Sequence, residues 1–406
     1  MKTKKILLFT CFIYLFTLKA QQNEGISMGS SYINDIYYSL QNGIISTVER
    51  TNWELAFATN SYDSNIRINS GAGVTLHEVS DDINEWDNIT EQGLNAIELM
   101  NSNTSWEEGA FVQNSSGGLN YGWGNYNTET HIIEACKVYI INYNNLSKKI
   151  KIDNLNFGTY NFTIANLDGT DEELISVPAA EYQDKNFVYY SLSNGEILDR
   201  EPNSDEWDLL FTKYIEDLYN NPSDPMYYNV MGVLTNHNLV AEYNGDLEAE
   251  PSILDLDTTR YTNTIGYDWK EFSGTYQIVQ NRAYYILDQD EEISYRIIFQ
   301  AFSGGSNGDI AFTIEEMEEI ELNIIKQESV DFLSYPNPSN GQFTVQLPEG
   351  ITNNCNLSIS DLAGKILHEQ SISGKTQIHV NFIPQGIYLL TIKSDSGIKT
   401  QKIIIQ

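Results

Sequence analysis

Hydrophobic and polar residues alternate along much of the chain, and long helical stripes are scarce. Residues 52–57 (NWELAF) and 206–211 (EWDLLF) place Trp, Leu and Phe at every second position, which is the pattern of a strand with one buried face. Tyr, Asn, Thr and Ile dominate much of the remaining sequence, and these residues suit antiparallel sheets with polar outer faces. The pattern predicts an all-β fold.

One short stretch occurs twice. Residues 37–45 read YYSLQNGII and residues 189–197 read YYSLSNGEI, with seven of nine positions identical. The Asn-Gly pair tolerates the positive φ angles that a two-residue hairpin turn needs. Each copy is therefore predicted to form a strand, a tight turn and a second strand.

Further landmarks follow the two hairpins in the same order: a W-x-L-x-F strand, a Trp-containing strand, a long hairpin and a closing strand. This order predicts two homologous antiparallel β-rich modules, at residues 24–180 and 181–322. We expect the matched tryptophans to be buried in the repeated cores: Trp53, Trp207, Trp123 and Trp269.

The N-terminal residues have the composition of a signal peptide. Residues 1–20 combine lysines with an apolar run too short to anchor in a bilayer, and Ala20 before Gln21 is the expected cleavage point. No later segment is apolar enough for a membrane helix. After signal removal the chain is thus expected to contain no integral membrane segment.

The C-terminal residues form a separate unit. Residues 334–406 contain short alternating strands and turns and are predicted to fold as a small β-sandwich, preceded by a linker at 323–333. The stretches SYPNPSNGQFTVQLP, LSISDLAGKIL and IPQGIYLLTIKSDSGIKTQKIIIQ resemble the type IX secretion C-terminal sorting domain. The resemblance implies recognition by the type IX machinery, removal of the tail, and a product that is secreted or held at the outer-membrane surface.

The charge of the chain excludes some partners. The formal net charge is −33, and residues 21–329 carry 14 Lys and Arg against 51 Asp and Glu. Such a body repels nucleic acid and anionic lipid. Calcium ligation is an alternative to simple solvation, with residues 166–173 (NLDGTDEE) and 288–292 (DQDEE) as candidate loops, although neither has EF-hand spacing.

The order of elements in the body resembles the HmuY-like haemophore family of Bacteroidota: the hairpin, the W-[DE]-L-x-F strand, the RINSG stretch at 67–71 and the closing hairpin. That family implies an all-β fold and a haem held by a pair of His or Met side chains. The stretches that correspond to the second ligand, at 122–130 and 268–276, contain no His or Met. The candidate haem ligands are His131, His77 and His237.

Catalytic motifs are scarce in the sequence. It contains no H-E-x-x-H, C-x-x-C or phosphate loop, and GISMG at 25–29 stands too close to the expected mature terminus to follow a buried strand. The sequence therefore favours a non-enzymatic binding protein with an unidentified ligand. A secreted polysaccharide hydrolase and an adhesin or structural surface protein remain the alternatives.

Overall fold

The computed structural model describes residues 21–60, 63–90, 96–219, 224–248, 251, 255–287, 293–317, 332–347, 355–361, 365–394 and 397–406. The chain divides into two compact units, a body that ends at Glu319 and a tail that begins at Ile320. Strands dominate both units, which confirms the predicted all-β fold class.

The strands of the body are β1 (Gln22–Ser27), β2 (Asn34–Ser39), β3 (Gly43–Glu49), β4 (Leu55–Ala58), β5 (Ile66–Ile68), β6 (Thr75–Ser80), β7 (Glu98–Leu99), β8 (Gly124–Asn127), β9 (Ile132–Ala135), β10 (Val138–Tyr143), β11 (Leu146–Asn156), β12 (Thr159–Asn166), β13 (Glu173–Val177), β14 (Phe187–Ser191), β15 (Glu196–Leu198), β16 (Leu209–Asp217), β17 (Tyr227–Thr235), β18 (Val240–Asn244), β19 (Lys270–Phe272), β20 (Tyr276–Ile278), β21 (Arg282–Leu287), β22 (Ser294–Phe302) and β23 (Asp309–Glu316).

The tail strands are β24 (Leu333–Tyr335), β25 (Gln342–Gln346), β26 (Cys355–Ser360), β27 (Ile366–Ile372), β28 (Lys375–His379), β29 (Gly386–Ser394) and β30 (Gly397–Ile405). Short 3-10 helices lie at Ser30–Tyr32, Ser70–Ala72, Ile83–Asn88, Ala110–Val112, Ala179–Tyr182 and Gly304–Ser306.

Four sheets of the body stack as layers. Sheet I has the order β13-β12-β11-β10-β6-β7 with β8 and β9 attached, sheet II is β15-β14-β4-β5, sheet III is β17-β16-β2-β3, and sheet IV is β1-β23-β22-β21-β18. One apolar core fills the space between sheets I and II, and a second fills the space between sheets III and IV. The body is thus two β-sandwiches whose sheets II and III face each other.

The two hairpins of the sequence repeat are exchanged between the sandwiches. The first hairpin, β2–β3, pairs with β16 of the second repeat, and the second hairpin strand β14 pairs with β4 of the first. Strand β1, next to the first repeat, likewise pairs with β23 of the second repeat. Strand β13, in contrast, pairs with β12 of its own repeat. The first sandwich is therefore built from β4–β15, and the second is closed by the N-terminal strands β1–β3.

An acidic residue after each W-x-L-x-F tryptophan fixes this exchange. Glu54 accepts hydrogen bonds from the Leu192 N–H at 2.7 Å and the Ser193 hydroxyl at 2.6 Å, in the turn of the second hairpin. Asp208 accepts from the Leu40 N–H at 2.8 Å, in the turn of the first. Each copy of the motif thus holds the hairpin turn of the other copy.

The predicted boundary between the two modules, at residues 180 and 181, describes the repeat in the sequence and stays a prediction. The cores follow a different division, because each contains strands from both repeats. In the tail, strands β24-β25-β28 and β27-β26-β29-β30 form two sheets around a core of its own.

Candidate functional site

The repeated tyrosines lie in the central layer between sheets II and III. The hydroxyls of Tyr37 and Tyr189 are 3.3 Å apart and buried. The ring of Tyr37 meets Trp207 edge-on with centroids 5.0 Å apart, and the ring of Tyr189 meets Trp53 in the same way at 4.9 Å. The nine-residue repeat therefore contributes two buried tyrosines to the contact between the two sandwiches.

The matched tryptophans occupy two kinds of environment. Trp123, Trp207 and Trp269 are at most 2% exposed, whereas Trp53 is half-buried, which differs from the expected burial. Trp53 lies against Tyr189 at the border of the central layer rather than inside a sandwich core. Its neighbours there are polar as well as aromatic.

The three candidate haem ligands have separate local partners. The Nδ1 of His77, on β6, is 3.1 Å from the carbonyl oxygen of Ala96, and the Nδ1 of His131 is 2.6 Å from the hydroxyl of Tyr126. His237 follows β17 and lines a surface cavity. Haem ligation stays a prediction, and among the described residues no group of three or more His, Cys, Asp or Glu side chains could hold a metal ion.

The two predicted calcium loops differ in what the structure describes. Residues 288–292 lie outside the described residues. In the other loop, Asp168 accepts hydrogen bonds from the Thr170 hydroxyl at 2.6 Å and the Thr170 N–H at 2.9 Å, and the Asn166 amide donates to Asp171 at 2.9 Å. These contacts are those of a self-contained hairpin turn.

A groove of about 620 Å³ opens where the two sandwiches meet. One wall comes from loops of the first sandwich and the other from the β16–β17 hairpin of the second. Its lining residues include acids, amides, hydroxyls and two tyrosines: Asp63, Glu107, Glu108, Asp217, Asn101, Asn103, Gln113, Ser64, Ser102, Ser115, Tyr121 and Tyr227. Among the described residues that line it there is no Lys or Arg, so the groove is negatively charged, and Met100, Val112 and Ile215 give it an apolar part.

The wall at residues 100–113 is fixed by partly buried polar contacts. The guanidinium of Arg67 donates to the carbonyls of Ser102 at 2.6 Å and Ser105 at 2.8 Å. The amide of Asn101 bridges the backbone of Ile68, donating at 2.7 Å and accepting at 3.0 Å. The Trp106 indole donates to the Thr235 carbonyl at 2.8 Å. The groove is thus preformed, with one wall tied to both sandwiches.

Two carboxyl groups of this groove have opposite pKa shifts. Burial raises the pKa of Asp63 to about 6, against a hydrogen bond from the Asn65 N–H, and the nearby Glu107 raises it further. Burial also acts to raise the pKa of Glu107, but the Ser105 hydroxyl and other donors outweigh it and the net shift is downward. Asp63 and Glu107 also line a neighbouring cavity of about 600 Å³ that includes His237.

Exposed aromatic side chains stand at one rim of the groove. Tyr227, at the start of β17, is 54% exposed and lines the groove, while its neighbour Tyr228 is 58% exposed and does not. Tyr219 and Met226, at the tip of the same hairpin, are also exposed. Adjacent strand residues face opposite sides, so Tyr227 alone of the β17 pair is directed to the groove.

Sequence reasoning did not find this groove. Its residues come from several loops far apart in the sequence, and of the repeated landmarks only the Trp-containing stretch at 120–127 contributes to it, through Tyr121. One signal was present in the sequence: Tyr227 and Tyr228 closely follow the turn-forming pair Asp-Pro at 224–225. Aromatic side chains next to a hairpin turn lie outside the core and are candidates for binding.

Comparisons with known proteins identify the tail. Residues 334–406 match the family model described as "Secretion system C-terminal sorting domain". No curated protein matches the chain. One similar solved structure, titled "Biofilm associated protein - BSP domain", has 9% identity and a TM-score of 0.17 over 100% of this chain and 84% of that chain, a likeness too weak to establish a shared fold.

The described residues include no helix long and apolar enough to cross a bilayer. The match at the C-terminus confirms what the sequence pattern predicted for the tail. Residues 334–406 are a type IX C-terminal sorting domain, and the protein is exported and then secreted or attached to the cell surface.

Proposed function

We propose that the exported body is a binding protein for a neutral polysaccharide, held in the groove between the two sandwiches. The observation that carries the proposal is the lining of the groove: amides, hydroxyls and carboxylates together with Tyr121 and Tyr227. A polyhydroxylated ligand can satisfy these donors and acceptors, and tyrosine offers an apolar ring face beside a polar edge. The excess of carboxylates disfavours an anionic chain.

The preformed wall supports binding. Because Arg67, Asn101 and Trp106 already fix residues 100–113, a ligand would not have to order this loop. Pre-organisation of this kind improves affinity by lowering the entropy cost of association. The open shape of the groove suits an internal segment of a long chain better than a small molecule that must be enclosed.

Replacing Tyr227 by Ala should weaken binding of neutral polysaccharides about tenfold or more, because truncating an aromatic residue that anchors a ligand costs about 2 kcal/mol or more. Tyr228→Ala is the matched control, since the same residue type is removed from the adjacent, non-lining position. The measurement is calorimetric titration of residues 21–317 against a panel of neutral polysaccharides. Equal affinity of both variants and the unsubstituted protein would show that the groove is not the binding site.

Polysaccharide hydrolysis is the second candidate, favoured by the opposite pKa shifts of Asp63 and Glu107 in one groove. Two carboxyls whose pKa values are shifted apart can take general acid and base roles in glycoside hydrolysis. Assaying the same titration mixtures for new reducing ends separates the two candidates. If new reducing ends appear with the unsubstituted protein and not with Asp63→Asn, the role of the groove is catalysis and not binding alone.

The tail should act as an address that the body does not need for folding. Deleting residues 330–406 is expected to stop export and leave a folded body in the periplasm, because the tail strands surround a core of their own. Cell fractionation locates the truncated chain, and its tryptophan fluorescence compared with that of the full-length protein reports folding. Recovery of the truncated chain in the medium would contradict this role of the tail.

A further inference from the structure

A second surface cavity adjoins the groove. Its volume is about 600 Å³, against about 620 Å³ for the groove. Asp63 and Glu107 line both spaces, so the two cavities meet at these carboxyl groups. A ligand that extends out of the groove past Asp63 and Glu107 therefore enters the second cavity.

The second cavity is built, like the groove, from both sandwiches. Asn60, which follows β4, and Asn186, which precedes β14, belong to the first sandwich, while His237 follows β17 of the second. The fully buried Asn236 ties these parts together, because its amide donates to the Ser204 carbonyl at 2.7 Å and accepts from the Asn186 amide at 2.9 Å. This cavity is thus preformed as well.

The side chains of the second cavity suit the same uncharged ligand as the groove. Trp106 is half-buried and lines the cavity, and since its N–H already donates to the Thr235 carbonyl, it offers an apolar ring. The exposed Gln183 adds an amide. Lys185, the one ammonium among the described lining residues, is paired with Asp199.

His237 is the other basic group of this cavity. Its Nδ1 is 4.0 Å from Oε1 of Glu107. Burial lowers the pKa of His237, and this effect prevails although Glu107 opposes it, with Arg260 acting in the same direction as burial. The imidazole is therefore neutral at neutral pH, and a neutral imidazole both donates to and accepts from hydroxyl groups.

The two cavities together exceed the ~300–1,000 Å³ of a pocket that encloses one small ligand. We propose that they form one extended binding site, in which a linear neutral polysaccharide passes from Tyr227 in the groove, over Asp63 and Glu107, to Trp106 in the second cavity. This extended site rests on the proposed function and adds to it the length of chain that is recognised. Binding of the second segment is then intramolecular, which raises the overall affinity.

The two shared carboxyl groups lie beside the middle of the bound chain in this arrangement. One oxygen of Asp63 accepts from the Asn65 N–H at 2.8 Å, and Oε2 of Glu107 accepts from the Ser105 hydroxyl at 2.6 Å. An ionised carboxylate accepts further hydrogen bonds at both oxygens, so each group retains capacity for ligand hydroxyls on either side.

The test is calorimetric titration of residues 21–406 with neutral oligosaccharides of the cello-, xylo-, laminari- and manno-series, each in increasing length. In a series that binds, long members should bind about tenfold or more tightly than short ones, because the second cavity takes up the extra segment. Tyr227→Ala should weaken binding of short and long members alike.

Gln183→Ala combined with His237→Asn removes two polar side chains from the second cavity and none from the groove. Asn tolerates the positive φ of 57° at position 237. This double variant should bind long members about tenfold more weakly, through the loss of two hydrogen-bonding groups, and short members as before. Gln277→Ala, which removes an exposed glutamine of β20 outside both cavities, should change neither.

Equal affinity for short and long members, or a double variant that binds long members as the unsubstituted protein does, would overturn the extended site. A weaker binding of short members by Tyr227→Ala would in that case still support the groove alone. If the unsubstituted protein binds no member of any series and no polysaccharide of the panel, the proposed function fails together with the extended site.

Discussion

Residues 50–205 expressed alone should fold, whereas residues 181–317 expressed alone should not. The first fragment contains every strand of the first sandwich, from β4 to β15, and all of the core between sheets I and II. The second fragment matches the second predicted module but lacks β1–β3, which complete sheets III and IV. The difference follows from the exchange of hairpins.

The missing strands carry a large share of the second core. Ile26, Met28, Ile36, Tyr38 and Leu40 are all buried there, and burying one such side chain contributes roughly 1.5–3 kcal/mol. A domain of this kind has only about 5–15 kcal/mol of stability in total. Losing the five contributions, with the ladders to β16 and β23, should leave residues 181–317 unfolded.

Circular dichroism and limited proteolysis measure the outcome for each fragment. Residues 21–180 serve as the matched fragment, because they contain the orphaned first hairpin and lack the second. Mixing 21–180 with 181–317 should restore a folded complex, since all strands are then present. If 181–317 is folded and protease-resistant without its partner, the exchanged arrangement is wrong.

Arg200→Gln should lower the free energy of unfolding by about 3–5 kcal/mol, the usual result of removing one partner from a buried ion pair. Arg200 pairs with Asp35 at 2.9 Å, and both side chains are at most 5% exposed. Arg282→Gln is the control, because Arg282 pairs with the more exposed Asp268 and Glu242. Surface pairs contribute about 0–1 kcal/mol, so the control should lose little.

The loss in Arg200→Gln should also increase with pH. Burial raises the pKa of Glu201 to about 7, although the Tyr189 hydroxyl, the Asn186 N–H and Arg200 favour its carboxylate. Without Arg200 the folded-state pKa rises further above the unfolded value near 4.5. A carboxyl of this kind favours folding at low pH, and that contribution is lost as pH rises through the folded pKa. Urea unfolding at pH 6 and pH 8 measures it, and a pH-independent loss would contradict this reasoning.

The sequence predicted the fold class and the sorting tail because both depend on local patterns. Alternation identified strands, and the Asn-Gly turns identified hairpins. The pairing of β2, which contains Tyr37, with β16, which follows Trp207, could not be predicted. A duplicated sequence supplies two equivalent partners for each hairpin. Hydrophobic periodicity shows that a strand has a buried face but does not show which copy covers it.

The candidate site was predicted less well for a related reason. The sequence drew attention to His77, His131 and His237 through the chemistry of their side chains and a family resemblance. The groove depends instead on ordinary residues, such as Asn101 and Tyr227, that loops of two sandwiches bring together.

The position of β23 affects how the body would resist mechanical load. Where the exported body is attached through its C-terminal end, tension enters at Glu316, the last residue of β23. This strand lies between β1 and β22, with antiparallel ladders on both sides. A pull along its axis shears both ladders together instead of opening them one bond at a time. The N-terminal strand would thus act as a clamp against the flow and drag that a cell-surface protein experiences.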